Sequence, residues 1–324
     1  MTNPASRERP VVCAGILVAD HLSTPISHVP AAGELVPADD LILNLGGCAA
    51  NASVALKKLG VEATVCGKVG NDILGRFVSE SLVGFGIDVG ELAIDPVYAT
   101  SQSLIINVAH EDRRFVHSFG ANRGFTVADL ERVLKDPPRV LYLGGYLLLP
   151  GLDPQGLADC FAKARSLGCV TVLDVGIPGP GNYLPALEAV LKETDVFLPN
   201  DDESALILKG ESDLHKQALI FHEHGAKRVV ITRGEHGSVY VSKDHRLDVG
   251  TYPVEFVDGT GGGDAFDAGY IAGLVDGLDE LACLKLASAV GASCVRAVGT
   301  TAGIFSRAEA DKFIRENELS IKTF

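Results

Sequence analysis

Short apolar runs alternating with helical stretches constrain this chain more than any other feature. VVCAGILV (11–18), EATVCGKVG (62–70), RVLYLGG (139–145), CVTVLDV (169–175), DVFLP (195–199) and KRVVITRG (227–234) are apolar, rich in β-branched residues and too short for ordinary helices. Between them lie stretches predicted to be helical: an alanine-rich one over 45–59 that opens on Gly-Gly, and others over about 73–85, 153–167, 183–192 and 202–224. Uniformly apolar strands, each followed by a helix, predict an α/β fold whose largely parallel sheet is covered on both faces. Two segments break the rhythm. Residues 19–45 are rich in Pro, Asp and turn formers, and residues 98–119 carry two β runs around a charged HEDRR turn. A hairpin inside an α/β chain is best placed in a small accessory β-sheet, and these two segments are expected to form a lid. No repeat or domain-scale linker interrupts residues 1–324, so a single α/β domain with this lid is the expected organisation.

Composition narrows the partners. The 28 basic and 42 acidic residues leave a formal charge of −14, which opposes the basic face that nucleic acids require. An anionic small molecule remains compatible, because backbone N–H groups and a metal ion can hold a phosphate whatever the net charge. The seven cysteines include no C-x-x-C pair, so neither a disulfide framework nor a structural zinc site is expected, and most read as small buried hydrophobes. The first residues, MTNPASRERP, lack an apolar signal core, and the apolar uncharged run of about 140–152 is too short to span a bilayer. A reduced, cytoplasmic location is the expectation.

The chemistry concentrates in VEFVDGTGGGDAFDAGYIAGLVDGL (254–278). A β-like VEFV leads into Asp258, Gly259, Thr260, Gly261, Gly262, Gly263 and Asp264, and then a helix begins. Three consecutive glycines at such a turn leave backbone N–H groups unobstructed by Cβ atoms. The helix behind adds unpaired N–H groups and the positive end of its dipole. Gly261, Gly262 and Gly263 therefore form a candidate anion hole for a phosphoryl group. Asp264, beside that hole, can accept the proton of an attacking hydroxyl. Phosphoryl transfer asks for little besides positioning, charge neutralisation and such a base. The plainer alternative is an N-capping Asp after a flexible turn. Neither G-x-x-x-x-G-K-[ST] nor a fitting G-x-G-x-x-G occurs.

This segment resembles the C-terminal signature of the ribokinase-like, PfkB-type carbohydrate kinases, D-T-x-G-A-G-D-x-F-x-x-G, through Asp258, Gly261, Gly263, Asp264, Phe266 and Gly269, with Thr260 at the variable position; Gly259 and Gly262 depart from it. Further matches follow in the family's order. AGILVADH ends in Asp20, NLGGCAANASVALKKLG supplies Gly46, Gly47 and Asn51, and GKVGNDILGRFV resembles G-x-V-G-x-D-x-x-G. SFGANRGF supplies Asn122, PNDDES supplies Asn200 and Glu203, and TRGEHG supplies Thr232, Gly234 and Gly237.

The resemblance implies a ribokinase-like three-layer fold and transfer from ATP to a hydroxyl of a sugar. It makes Asp264 the catalytic base and Asp20, Gly46, Gly47, Asn51 and Asn122 the substrate-binding set. It gives Asn200, Thr232, Gly234, Gly237, Gly261 and Gly263 to the nucleotide. Glu203 would act on Mg²⁺ through water, although Asn200 to Glu203 also reads as an ordinary helix cap. Helix 279–298 and loop 299–303 would close the adenine pocket. A monovalent cation (K⁺) near the Asp258 loop and a homodimer through the lid belong to the same expectation, with no nucleic acid and no membrane among the partners.

Departures from the pattern bear on the substrate. Val18 and Cys48 stand where ribose-type members carry Asn and Lys, which points away from ribose itself. No Arg follows Asp174-Val175-Gly176, which argues against a sugar phosphate held there; Arg113, Arg114 and Arg123 are the other cations that could meet a phosphate. His222, Glu223 and His224 miss the H-E-x-x-H spacing and read as a solvated helix face. A nucleoside kinase on the same fold and a non-catalytic sugar- or nucleotide-binding regulatory protein are the alternatives to a sugar kinase.

Overall fold

The computed structural model of the protein describes residues 10–109, 111 and 114–324; Arg113 and part of the HEDRR turn lie outside them. The N-terminal half runs β1 (Val11–Gly15), β2 (Val18–Ser23), β3 (Leu41–Gly46), α1 (Cys48–Lys58), β4 (Ala63–Gly70), α2 (Ile73–Gly84), β5 (Asp88–Asp95), β6 (Gln102–Ile106), β7 (Arg114–Ser118) and α3 (Val127–Val133). Then follow β8 (Val140–Gly144), α4 (Pro154–Ser166), β9 (Val170–Leu173), α5 (Leu184–Leu191), β10 (Val196–Phe197), α6 (Asp201–Ile207) and α7 (Leu214–Glu223). The chain ends with β11 (Arg228–Thr232), β12 (Ser238–Ser242), β13 (Arg246–Val249), α8 (Gly262–Asp276), α9 (Glu280–Cys294), α10 (Arg307–Glu316) and β14 (Ile321–Thr323).

Ten strands form one sheet in the order β14-β13-β12-β11-β10-β9-β8-β1-β4-β5, parallel from β11 to β5 and antiparallel from β11 to β14. Its central strands are buried on both faces, so successive residues feed opposite cores. Val140 and Tyr142 of β8 enter the core that includes α1, α8 and α9, while Leu141 and Leu143 enter the one that includes α4, α5 and α7. Each large apolar side chain removed from water there contributes about 1.5–3 kcal/mol. These three layers are the α/β architecture predicted above.

A separate four-stranded sheet, β3-β2-β6-β7, is built from the two segments that broke the sequence rhythm. The apolar run 11–18 is divided between the two sheets, where one strand was expected. At the corner Asn122 holds Leu17 both ways, its Oδ1 accepting from Leu17 N (3.2 Å) and its Nδ2 donating to Leu17 O (3.1 Å). The run 202–224 is also divided. Asn200 caps α6, and the chain then turns through 208–213 before Asp213 caps α7. All seven cysteines are free and six are buried. Among the described residues no helix is long and apolar enough to cross a membrane.

Candidate active site

The segment VEFV is not a strand. The N–H groups of Val257 and Asp258 both donate to Val295 O at the end of α9 (2.8 and 3.1 Å), so no neighbouring strand receives them. Asp258 then organises the loop. Its Oδ1 accepts from Thr260 N and Oγ1 (3.0 and 2.7 Å), and its Oδ2 accepts from Gly299 N (3.0 Å). Gly261 sits at φ +77°, and a Cβ there would lie 2.8 Å from Thr300 Cα. Glycine at 261 is thus required by the turn itself. Helix α8 starts one residue later, where the N–H groups of Gly263 and Asp264 have no acceptor one turn back. A Cβ on Gly263 would meet nothing within 4 Å: its Cα faces open space, as an anion site needs.

Asp264 lies in the first turn of α8 and Asn51 in α1, and the two helices bring them together: Asn51 Nδ2 donates to Asp264 Oδ2 at 2.8 Å. The small residues Ala49, Ala50 and Ala52 let α1 sink into the core at this point. Asn51 is 5% exposed, and its Oδ1 has no partner. Burial pushes Asp264 above the ordinary carboxylate range, opposed by hydrogen bonds from Asn51 and Cys48.

Sequence reasoning missed two further carboxylates here. Asp174, just past the end of β9, accepts from Gly145 N at 2.9 Å, and ligand atoms of Cys48, Asp174 and Asp264 lie within 4.8 Å of one another. Asp267 accepts from Tyr142 Oη at 3.0 Å. Burial, then neighbouring negative charge, pushes both well up. Their signals were a carboxylate at the C-terminal edge of a parallel strand and a second Asp three residues after Asp264 on the same helix face. Glu203 completes the group, pushed up to about 7 chiefly by burial, with Asp264 adding to the effect. Glu203 is also the reciprocal cap of α6: its Oε2 accepts from Asn200 N (2.9 Å) and its N donates to Asn200 Oδ1 (2.8 Å).

On the small-sheet side, Asp20 is pushed up by burial and by Asp264, against a hydrogen bond from Ser103 that stabilises the anion. The Gly46-Gly47 pair has a role in the packing of the chain itself. A Cβ on Gly46 would fall 1.9 Å from Asp20 Oδ2, and one on Gly47, at φ +93°, would fall 2.4 Å from Ile16 O. Both glycines make room for parts of this protein. Asn122 is fully buried and spends its amide on Leu17, so its place is in the corner leading to Asp20. Among the expected phosphate cations, Arg114 pairs with Glu111 and Arg123 stacks over Phe119 at 5.7 Å.

The nucleotide-side residues meet. A cavity of about 680 Å³ joins Thr232, Gly234 and Gly237 to Gly262, Gly263 and Phe266. Asn200 is bridged to Thr232 at its edge. Helix α9 closes the cavity through Ser288, Gly291 and Ala292, as expected of 279–298. Loop 299–303 is not in its wall; Gly299 and Thr300 brace the Asp258–Gly261 turn instead. Tyr252 and Phe256 line the cavity and were not foreseen.

A mostly parallel α/β sheet with a glycine turn, an adjoining carboxylate and a cavity of nucleotide size defines a phosphotransferase of ribokinase-like fold. The family description "pfkB family carbohydrate kinase" matches residues 9–306, and this chain belongs to that family. Fructokinase-2 of Zea mays is 26% identical over 286 residues, covering 83% of this chain and 84% of the maize protein. A nucleoside kinase of Methanothermobacter thermautotrophicus is 28% identical over 268 residues, covering 82% and 83%. An E. coli protein described as a ribokinase II, solved with ATP and Mg²⁺, is 27% identical with a TM-score of 0.79, covering 95% of this chain and all of that one. The chain is therefore a kinase of the sugar or nucleoside type.

Proposed function

We propose that this chain transfers the γ-phosphoryl group of ATP to a hydroxyl of a sugar or sugar-like molecule, with Asp264 as general base. One observation carries the reading: Asp264 is oriented by Asn51 at the helix N-terminus where Gly262 and Gly263 open into the nucleotide-sized cavity. In the step, the acceptor oxygen attacks the γ-phosphorus, its proton passes to Asp264, and the bond to the β-phosphate oxygen breaks to release ADP. The N–H groups of Gly263 and Asp264 face the charge that develops on the phosphoryl oxygens.

The residues suit Mg²⁺ as well. Asp264 and Glu203 raise the proton affinity of Asp174 and Asp267, and Asp264 raises that of Glu203, a repulsion that a divalent cation relieves. Glu203 would hold the ion through water, and the ion would supply charge neutralisation at the phosphates. The turn tying Asp258 to Gly299 is the place for a monovalent cation, testable by comparing turnover in K⁺ and Na⁺. The small sheet would close as a lid over the acceptor and keep water out. Its outer face, with Leu41, Leu104 and Val116 exposed, is where a homodimer would form.

A nucleoside acceptor is the second reading, favoured by Cys48, which places a thiol beside Asp264 where ribose-type members are charged. A panel of free sugars and nucleosides, followed by ADP production, decides between them. Phosphorylation of a sugar is expected. Tight sugar binding without ADP release would instead mark a binding protein that keeps the fold.

A further inference from the structure

Three parts of the chain far apart in sequence converge beside Asp264: Cys48 at the start of α1, Asp174 just past the end of β9, and Asp264 itself in the first turn of α8. One ligand atom of each, the thiol sulfur and two carboxylate oxygens, lies within 4.8 Å of the others. Tetrahedral zinc, with about 2.3 Å to sulfur and about 2.0–2.2 Å to oxygen, sets its ligand atoms about 3.5 Å apart. The cluster reaches that spacing with at most a small inward shift. Cys48 is the one cysteine of the seven that is not buried, so an ion has a way in.

The surroundings hold these groups in place. Gly145 N donates to Asp174 Oδ2 at 2.9 Å, and Asn51 Nδ2 donates to Asp264 Oδ2 at 2.8 Å. Outer bonds of this kind orient carboxylates that ligate metals. A Cβ on Gly144 would fall 2.6 Å from Cys48 Cβ, so the bare glycine at the end of β8 is what admits the cysteine. Asn51 follows Cys48 by one turn of α1 and shares its face. It is 5% exposed, and its Oδ1, on the same amide that grips Asp264, has no hydrogen-bond partner among the described residues. A buried acceptor left open is costly, and a water on a metal ion between these groups would donate to it. The donors also select the ion. Mg²⁺ takes oxygen ligands, whereas a thiolate favours zinc-like ions. In the metal-free protein, burial and the neighbouring carboxylates keep the proton on Cys48. An entering ion displaces that proton to solvent as the sulfur–metal bond forms.

We propose that Cys48, Asp174 and Asp264 form a Zn²⁺ site, with Asn51 Oδ1 accepting from a metal-bound water, and that zinc held there switches the kinase off. The ion would occupy the carboxylate that must receive the acceptor's proton. The inhibition rests on the reading of Asp264 as general base; the binding of zinc does not.

The metal alone is the first probe. Co²⁺ titrated into the metal-free protein is expected to give the strong near-ultraviolet band of a thiolate–cobalt bond, and added Zn²⁺ to bleach it. Cys48→Ser should abolish the band. Asp174→Asn, which keeps an oxygen for Gly145 N–H, should weaken Co²⁺ binding by about tenfold or more. Turnover is the second probe. With Mg·ATP in excess, Zn²⁺ is expected to inhibit the wild type reversibly. Cys48→Ser and Cys48→Ala, each measured against its own zinc-free rate, should raise the half-inhibiting concentration by about 10²-fold. A band of equal strength in Cys48→Ser would place the thiolate elsewhere and overturn the site. So would the lack of any band in wild-type protein that melts cooperatively. Equal zinc sensitivity in the wild type and both Cys48 variants would overturn the inhibition. If Co²⁺ binds through Cys48 while Zn²⁺ leaves turnover unchanged, the site stands and the reading of Asp264 as base is what fails. The cobalt spectra need no acceptor, so they decide the site even if no sugar or nucleoside proves to be a substrate.

Discussion

The two sheets do different physical work. Strands β1, β8 and β12 of the ten-stranded sheet are buried at every residue, and the sheet is fixed by cores on both faces. Every residue of β7 in the four-stranded sheet is exposed, and β3 is only partly buried. The groups proposed to transfer phosphate stand on or beside the large sheet: Asp264 on α8, Asp174 after β9, Glu203 on α6. The group proposed to grip the acceptor, Asp20, stands on the small one. Chemistry that tolerates little displacement is tied to the rigid layer. Recognition, which needs opening and closing, is assigned to the layer with little core of its own.

Four experiments could break or sharpen this contrast. Asp264→Asn is expected to lower kcat by roughly 10²–10⁴, as for a lost general base, while the melting temperature holds or rises because a buried charge is removed. Retention of near-normal turnover on the true acceptor would remove Asp264 from the base role. For stability, Leu141→Ala in β8, at 0% exposure, should cost about 2–5 kcal/mol by urea denaturation. Val116→Ala in β7, at 63% exposure, should stay within about 0.5 kcal/mol. Equal losses would mean that the small sheet is as tightly packed as the large one.

The glycine turn gives a finer comparison. Gly261→Ala forces a side chain into a left-handed conformation against Thr300 and should cost about 1–3 kcal/mol of stability. Gly263→Ala, with open space around its Cβ, should leave melting unchanged while raising the KM for ATP. The smallest effect concerns pH. Glu203 keeps its proton in the fold up to about pH 7, whereas its ordinary value is 4.5. Between those values the native state binds the extra proton, so this residue's contribution to stability falls as pH rises, by on the order of 1 kcal/mol per unit. Glu203→Gln, which can still cap α6, should flatten that slope in thermal melts between pH 5 and about 7.5. An unchanged slope would place the titration elsewhere.

Much of this arrangement was legible in the chain itself. Uniform apolar runs indicated the buried parallel strands, because a strand covered on both faces cannot alternate. The glycine run before Asp264 indicated the turn, because only missing side chains allow that backbone and leave its amides open. Less legible were elements whose state depends on their neighbours. VEFV has the alternation of a strand, yet its amides go to Val295. Residues 88–95, 238–242 and 246–249 form strands because neighbouring strands of the sheet offer partners.

The sequence by itself determined the three-layer class, the position of the glycine turn and the identity of the carboxylate beside it, since these rest on local periodicity and on the absence of Cβ atoms. Only the tertiary structure decided that Gly46 makes room for Asp20, that Asn122 serves the Leu17 corner, and that Asp174 and Asp267 gather around Asp264. Those facts depend on which distant segments meet, and that is set by the packing of whole helices and sheets. A lone polar residue carries no local record of its eventual partner.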